Sequence, residues 1–299
     1  FLIQCYQAIG LQNVKEPNYR AMNQLIVLQQ GAPYAGWADQ YYVEDMKPAH
    51  ARSYEPRSIN AGTTVRAIHL LMDYYRLTGE TKFLAGIPAA IQYLESMELP
   101  AEEARKYGYT GNGRQGILVP RFVDPDTGKP LYVHRVGSNV ANGHYYTDQN
   151  ITNTIAHYSS GAFIDIASLK SAYNEIRTKP VEELIKDSPL LSTEQVPLPR
   201  FYTRIFSRGG DKGGDVMQVV RSLTKEGYWL TPLQQISNPY KECLDMEPSK
   251  ETKYASTFVG DEFDTSCYTS EELVMGISTA VYVSNMMKCI QFLESKKTK

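Results

Sequence analysis

The sequence predicts a mainly α-helical fold: paired helices arranged around a centre, with a small β-hairpin and long loops gathered at one rim. Three observations predict it. Apolar residues recur at helical spacing in several segments, one strand–turn–strand pattern interrupts them, and the connections are long and rich in aromatic residues. A solenoid of helical repeats is the alternative, and the lack of a strict period of roughly 34 residues argues against it.

The elements follow in chain order. A first helix is expected around "YRAMNQLIVLQ", ahead of a long loop, "GWADQYYVEDMKPAHARSYEP", at residues 36–56. This loop has neither a helical nor a strand period, and Pro48 and Pro56 interrupt any regular element. In the next segment Val65, Ile68, Met72 and Tyr75 share one helical face, and Gly79 is placed to end the helix. Leu84, Ile87, Ile91 and Leu94 repeat the pattern, with Pro88 kinking the first turns, so the two segments form a helical hairpin. His69 lies inside the first of these helices and is expected to pack rather than to catalyse.

"ILVPRFVDPDTGKPLYVHRV" then gives two alternating runs around Asp-Pro-Asp-Thr-Gly, a strong turn signal. Arg121 sits in the first strand and Arg135 in the second. An odd number of unpaired loop residues would put both on one side of the sheet. Ile166, Leu169, Tyr173 and Ile176 mark a later helix, and Val283, Met286, Ile290 and Leu293 the last one. Residues 178–260 are poor in pattern and read as loops with short helices. No sharp change in composition divides the 299 residues, so one domain spanning 1–299 is expected.

The formal net charge of −2 and the lack of a lysine–arginine block argue against a nucleic-acid partner. No apolar run is long enough to span a bilayer. Cys5, Cys243, Cys267 and Cys289 form no metal-ligand pattern, and a Cys243–Cys267 disulfide is left open. Twenty-two tyrosines, many in loops, suit a partly wet sugar cleft, and equally the decoration of a large helical core. The chain opens at Phe1 without a methionine or a signal peptide, which reads as a processed or trimmed chain, and a secreted or periplasmic setting is expected.

Several signals fail as chemistry. "GYTGNGRQG" has no strand before it and no helix pattern after it, so it is no phosphate loop. "GGDKGGD" reads as the approach to a helix at "DVMQVVRSL". The acidic residues Asp261, Glu262, Asp264, Glu271 and Glu272 lack the spacing of a calcium loop. What remains is the loop at 36–56 with the hairpin arginines. Arginine offers a planar fork matched to carboxylates, so Arg52, Arg121 and Arg135 are candidates for an anionic-substrate cleft lined by Trp37 and tyrosines. Surface salt bridges are the plainer account of the same residues.

Trp37-Ala38-Asp39-Gln40-Tyr41, then Lys47-Pro48, then Ala51-Arg52-Ser53-Tyr54-Glu55, resembles the second-half signature of the family 10 pectate lyases (pectic acid lyases). There a W-x-x-Q-[YH] segment runs into an L-x-P-x-x-A-R-x-[YF]-E loop and a helix beginning near a serine, here Ser58. The resemblance covers about residues 18–140, and the separation of Arg121 from Arg135 suits the family's two substrate-binding arginines. It implies an (α/α) toroid and β-elimination on an acidic polysaccharide, polygalacturonate or oligogalacturonide. It places Arg52 as catalytic base, Arg121 and Arg135 on uronate carboxylates, and Trp37, Gln40 and Lys47 along the cleft. It implies calcium as well, yet the earlier half that carries the family's calcium-linked aspartates has no counterpart here, and Tyr42 stands where relatives often carry aspartate. The chain is thus expected to be the C-terminal portion of a longer family protein or a relative without the metal chemistry. The competing functions are a non-catalytic uronate binder and a glycoside hydrolase using Asp39, Asp45 or Glu55.

Overall fold

The structure, a computed structural model, describes residues 2–52, 54–106, 116–136, 144–152, 154–155, 159–197, 215–232 and 275–297. About half of these residues are helical, and the strands form small antiparallel sheets. They group into two compact units, residues 2–197 and the segments 215–232 with 275–297. Most of "GYTGNGRQG", the glycines before Asp215, the acidic residues at 261–272, and Cys243 and Cys267 lie outside the described residues.

The first unit runs through α1 (Leu2–Ile9), a 3-10 turn (Gln12–Val14) and α2 (Lys15–Val27) into the long loop. Then come β1 (Ile59–Asn60), α3 (Ala61–Thr78), α4 (Lys82–Ala85), α5 (Ile87–Ser96) and α6 (Ala101–Lys106). Five strands follow, β2 (Ile117–Pro120), β3 (Phe122–Val123), β4 (Pro130–Val136), β5 (His144–Asp148) and β6 (Gly161–Ile164). α7 (Ile166–Thr178) and α8 (Val181–Ile185) complete it.

α3 begins where Asn60 Oδ1 accepts from the backbone N–H groups of Gly62 (2.8 Å) and Thr63 (3.3 Å). It ends at Gly79, whose φ of 72° only glycine adopts without strain and whose N–H bonds the Tyr75 carbonyl at 2.8 Å. Ile68, Met72 and Tyr75 are buried as their spacing predicts, with Val65 packed at the margin. Leu84, Ile87, Ile91 and Leu94 are buried too, but the helix is broken at Gly86 into α4 and α5. Pro88 falls in the first turn of α5, where its missing N–H has no intrahelical partner to lose. In α7 Ile166, Leu169 and Ile176 are buried behind an N-cap from Asp165 to Ser168. His69 is exposed on α3, contrary to the packing role expected of it.

The β-rich segment departs from the sequence reading. Its first run is two strands in two sheets: β2 pairs with β6, while β3 joins β1 and β4. The chain bends at Arg121, whose N–H bonds the Ser160 carbonyl and whose carbonyl accepts from Ala61. The order of the larger sheet is β1-β3-β4-β5, antiparallel throughout. The sequence reading includes neither β5 nor β6, so it catches only the middle of the larger sheet and one strand of the smaller.

In the second unit α9 (Val216–Arg221) is capped by Asp215, β7 (Thr231–Pro232) pairs with β8 (Met275–Gly276), and α10 (Thr279–Lys297) follows. Trp229 donates to the Val219 carbonyl at 2.8 Å and meets Tyr282 edge to face. Among the described residues no helix is long and apolar enough to cross a membrane.

The main core of the first unit gathers Met22, Ile68, Leu71, Met72, Phe83, Ile87, Leu94, Leu169 and Ile176 from α2, α3, α4, α5 and α7, with Trp37 from the long loop. Trp37 is 1% exposed, and its indole N–H donates to the Leu25 carbonyl at 2.7 Å. Its backbone N–H bonds Thr64 Oγ1, and its carbonyl accepts from Asn60. Gly36 makes this fit possible, because a Cβ there would lie 2.6 Å from Ile59 and 2.7 Å from Thr64 Oγ1. Trp37→Ala should therefore cost about 3–5 kcal/mol. A denaturant titration checks it, with the midpoint falling and the slope unchanged.

Candidate functional site

The loop at 36–56 begins as an extension of the larger sheet. Ala38 bridges Ile59 of β1, and Asn60 Nδ2 donates to Asp39 Oδ2 at 2.7 Å. Asp39 also accepts from the Thr63 hydroxyl and lies 3.9 Å from Arg66, so its charge sits at the N-terminus of α3. Tyr41 pairs with Pro48, and its hydroxyl accepts from the Ala38 N–H at 2.7 Å. Burial pushes the Tyr41 phenol up to about 12, so it stays protonated. Between these supports Tyr42, Val43 and Met46 form an exposed tip.

Arg52 stands on the next turn. Its guanidinium meets Glu55 Oε1 at 2.8 Å, while Glu55 Oε2 accepts from its backbone N–H at 3.0 Å. Two tethers then hold the loop against the hairpin. Tyr54 packs edge to face on Tyr145, ring centroids 5.4 Å apart. Arg57 grips Asp126 with both arms, at 2.7 and 3.0 Å, joining the end of the loop to the β3–β4 turn. The guanidinium beside Asp126 holds its carboxyl below the usual carboxylate range. Neither Arg57 nor Asp126 was singled out from sequence. The planar fork facing a turn aspartate is visible only once the turn and the loop are neighbours.

The hairpin arginines are placed differently from one another. Leu131, Val133 and Arg135 share one face of β4, and Tyr145 lies directly opposite Arg135 on β5. That face carries the apolar cluster of Phe122, Val133 and Ile155, against which Tyr54, Leu131 and Tyr145 pack. Arg135 is thus fully buried on the side where the Arg52 loop docks. Residues 124–129 lie unpaired between Val123 and Pro130. Their number is even, so the pleat alone does not bring Arg121 to that face. Arg121 instead donates its Nε to the Ser159 carbonyl, at the edge of a small crevice lined by Phe122, Leu131, Val133, Ile155 and Ser160. The three arginines stand in different settings: Arg52 is exposed, Arg121 half-buried and Arg135 buried.

The remaining expected residues are easily located. Trp37 is a core residue whose indole bonds α2, so its part is to anchor the loop. Gln40 is exposed, and its carbonyl accepts from Ala49 across the loop. Lys47 pairs with Asp45 at 3.0 Å on the exposed tip, and bonds from the Lys47 backbone and side chain hold the Asp45 carboxyl low. Asp39, Asp45 and Glu55, the hydrolase candidates, are each engaged with neighbours. Among the described residues no three His, Cys, Asp or Glu side chains stand together to hold a metal ion. On the opposite face of β4, His134 is stacked on Tyr146 and lies 2.8 Å from Asp148, a pairing the sequence did not announce.

Two outcomes are expected from this geometry. A double-mutant cycle on Tyr54 and Tyr145, read by chemical denaturation, should return a coupling of about 0.5–1.5 kcal/mol. Because the folded-state value of Asp126 lies below its ordinary 3.8, its contribution is present above that value and fades as pH falls through the lowered one. Wild type should therefore lose stability relative to Asp126→Asn on acidification, measured as denaturation midpoint against pH.

Residues 22–147 match the model of the pectic acid lyase family. The matched span runs from α2 to β5 and takes in the loop, its two tethers and all three arginines. No curated protein matches the chain.

Proposed function

From residues 22–147 as a segment related to the pectic acid lyases, we propose that this protein acts on polygalacturonate or oligogalacturonides by β-elimination. The observation that carries the reading is that the family match encloses Arg52, Arg121 and Arg135, together with the loop whose Tyr54 packs on the cluster at the Arg135 face of β4. The paired helices are proposed to belong to an (α/α) toroid, and such a substrate places the protein in a secreted or periplasmic setting.

The chemistry sets the roles. Removal of the C5 proton leaves its electron pair to form the C4–C5 double bond as the C4–O4 bond breaks. Negative charge develops toward the adjacent carboxylate, and cations fixed beside that carboxylate stabilise it. Arg121, half-buried, is the proposed carboxylate partner, with Gln40 and Lys47 on the approach and Arg52 as the proposed base; the contact expected of Arg135 needs surface that this fully buried side chain does not expose. An arginine base must first give up a proton held to pH above about 12. Glu55 beside Arg52 favours the charged form. That ion pair is the specific observation favouring a second reading, a non-catalytic protein that binds uronates with Arg52 as a cation.

Incubation with polygalacturonate, with calcium and with chelator, separates these readings. The lyase reading expects rising ultraviolet absorbance from an unsaturated uronide, reduced roughly 100-fold or more in Arg52→Ala. Undiminished activity in that variant removes Arg52 as base. Calorimetric binding without absorbance establishes the binder, and new reducing ends without the double bond establish a hydrolase.

A further inference from the structure

Building on the second, uronate-binding reading, in which Arg52 acts as a cation, we propose that Glu55 is the positioning residue of Arg52, closing the turn that carries it and steering its guanidinium toward a uronate carboxylate. The two side chains differ in exposure: Glu55 keeps 16% of its surface in solvent and Arg52 63%. The covered partner is the anchor and the open one is what it presents.

Glu55 holds Arg52 at both ends. One carboxylate oxygen takes the Arg52 backbone N–H at 3.0 Å and the other takes Nη1 at 2.8 Å. In return the Arg52 carbonyl accepts from the Glu55 N–H at 2.9 Å, and the Glu55 carbonyl accepts from Ala51. The Glu55 carboxylate on the Arg52 N–H is one half of a capping box, and a backbone turn bond stands in for the other half. A guanidinium held at one edge loses less rotamer freedom when a ligand arrives, and the neighbouring carboxylate keeps it charged. Tyr54 on Tyr145 and Arg57 on Asp126 secure the loop without Glu55.

The test is a calorimetric cycle with trigalacturonate at fixed salt, using wild type, Glu55→Ala, Arg52→Ala and the double variant, each shown to fold by its thermal melt. Glu55→Ala should weaken binding roughly tenfold. The double variant should bind no more weakly than Arg52→Ala, because both changes remove one unit. Glu55→Gln takes the place of alanine in the cycle if Glu55→Ala does not fold. Losses that add in the double variant, or tighter binding in Glu55→Ala, overturn the proposal. If wild type binds no uronate, the uronate reading fails, and phenylglyoxal labelling then judges Glu55 separately. Faster modification of Arg52 in Glu55→Ala than in wild type supports the positioning role, and equal rates overturn it.

Discussion

Burial of Trp37 is the constraint on which the rest of the first unit depends. The indole bonds α2, the backbone on either side bonds α3 and β1, and the ring fills the core between them. A large aromatic ring with its one polar group satisfied contributes both area and direction, so it fixes where the loop begins as well as holding it. From that point Asp39 reaches the start of α3, and Ala38 continues the sheet that ends in β5. The candidate site is therefore built on the core. The loop's position is inherited from a residue that does not face the site.

Helices were legible in the sequence where burial was one-sided. Ile68, Met72 and Tyr75 on α3, or Ile87, Ile91 and Leu94 on α5, show their period because the opposite face is wet. The gap between α4 and α5 was only half legible. Pro88 announced a disturbance, but whether the helix bends or divides at Gly86 depends on packing. The strands were harder. β1, β3 and β6 are two to four residues long, too short to show alternation, and are strands because distant partners complete their bonds. Arg121 illustrates the difficulty, since one alternating run read as one strand while its backbone serves two sheets.

At the site, residue types were legible and their environments were not. Three arginines in unusual contexts could be picked out by number. That one would be fully buried, one half-buried and one paired with a glutamate three residues away depends on tertiary neighbours. By sequence Trp37 reads as a cleft aromatic, because tryptophan in a loop looks like a binding residue. Its burial follows from Gly36, which lets the backbone approach Ile59 and Thr64 closely. The tether between Arg57 and Asp126 spans 69 positions along the chain, beyond any local pattern.

The bend at Arg121 has a consequence for how this chain can vary. β2 and β3 are separated by a single residue yet have different partners, so their registers are mechanically coupled. Adding or deleting one residue at this joint would turn over the side-chain alternation of one sheet relative to the other. Phe122 would leave the cluster with Val133, or Leu118 would leave its own with Tyr132. Changes of length in this stretch are better placed inside residues 124–129, where no ladder is interrupted and the tether to Arg57 and the turn's own bonds to Asp124 are at stake.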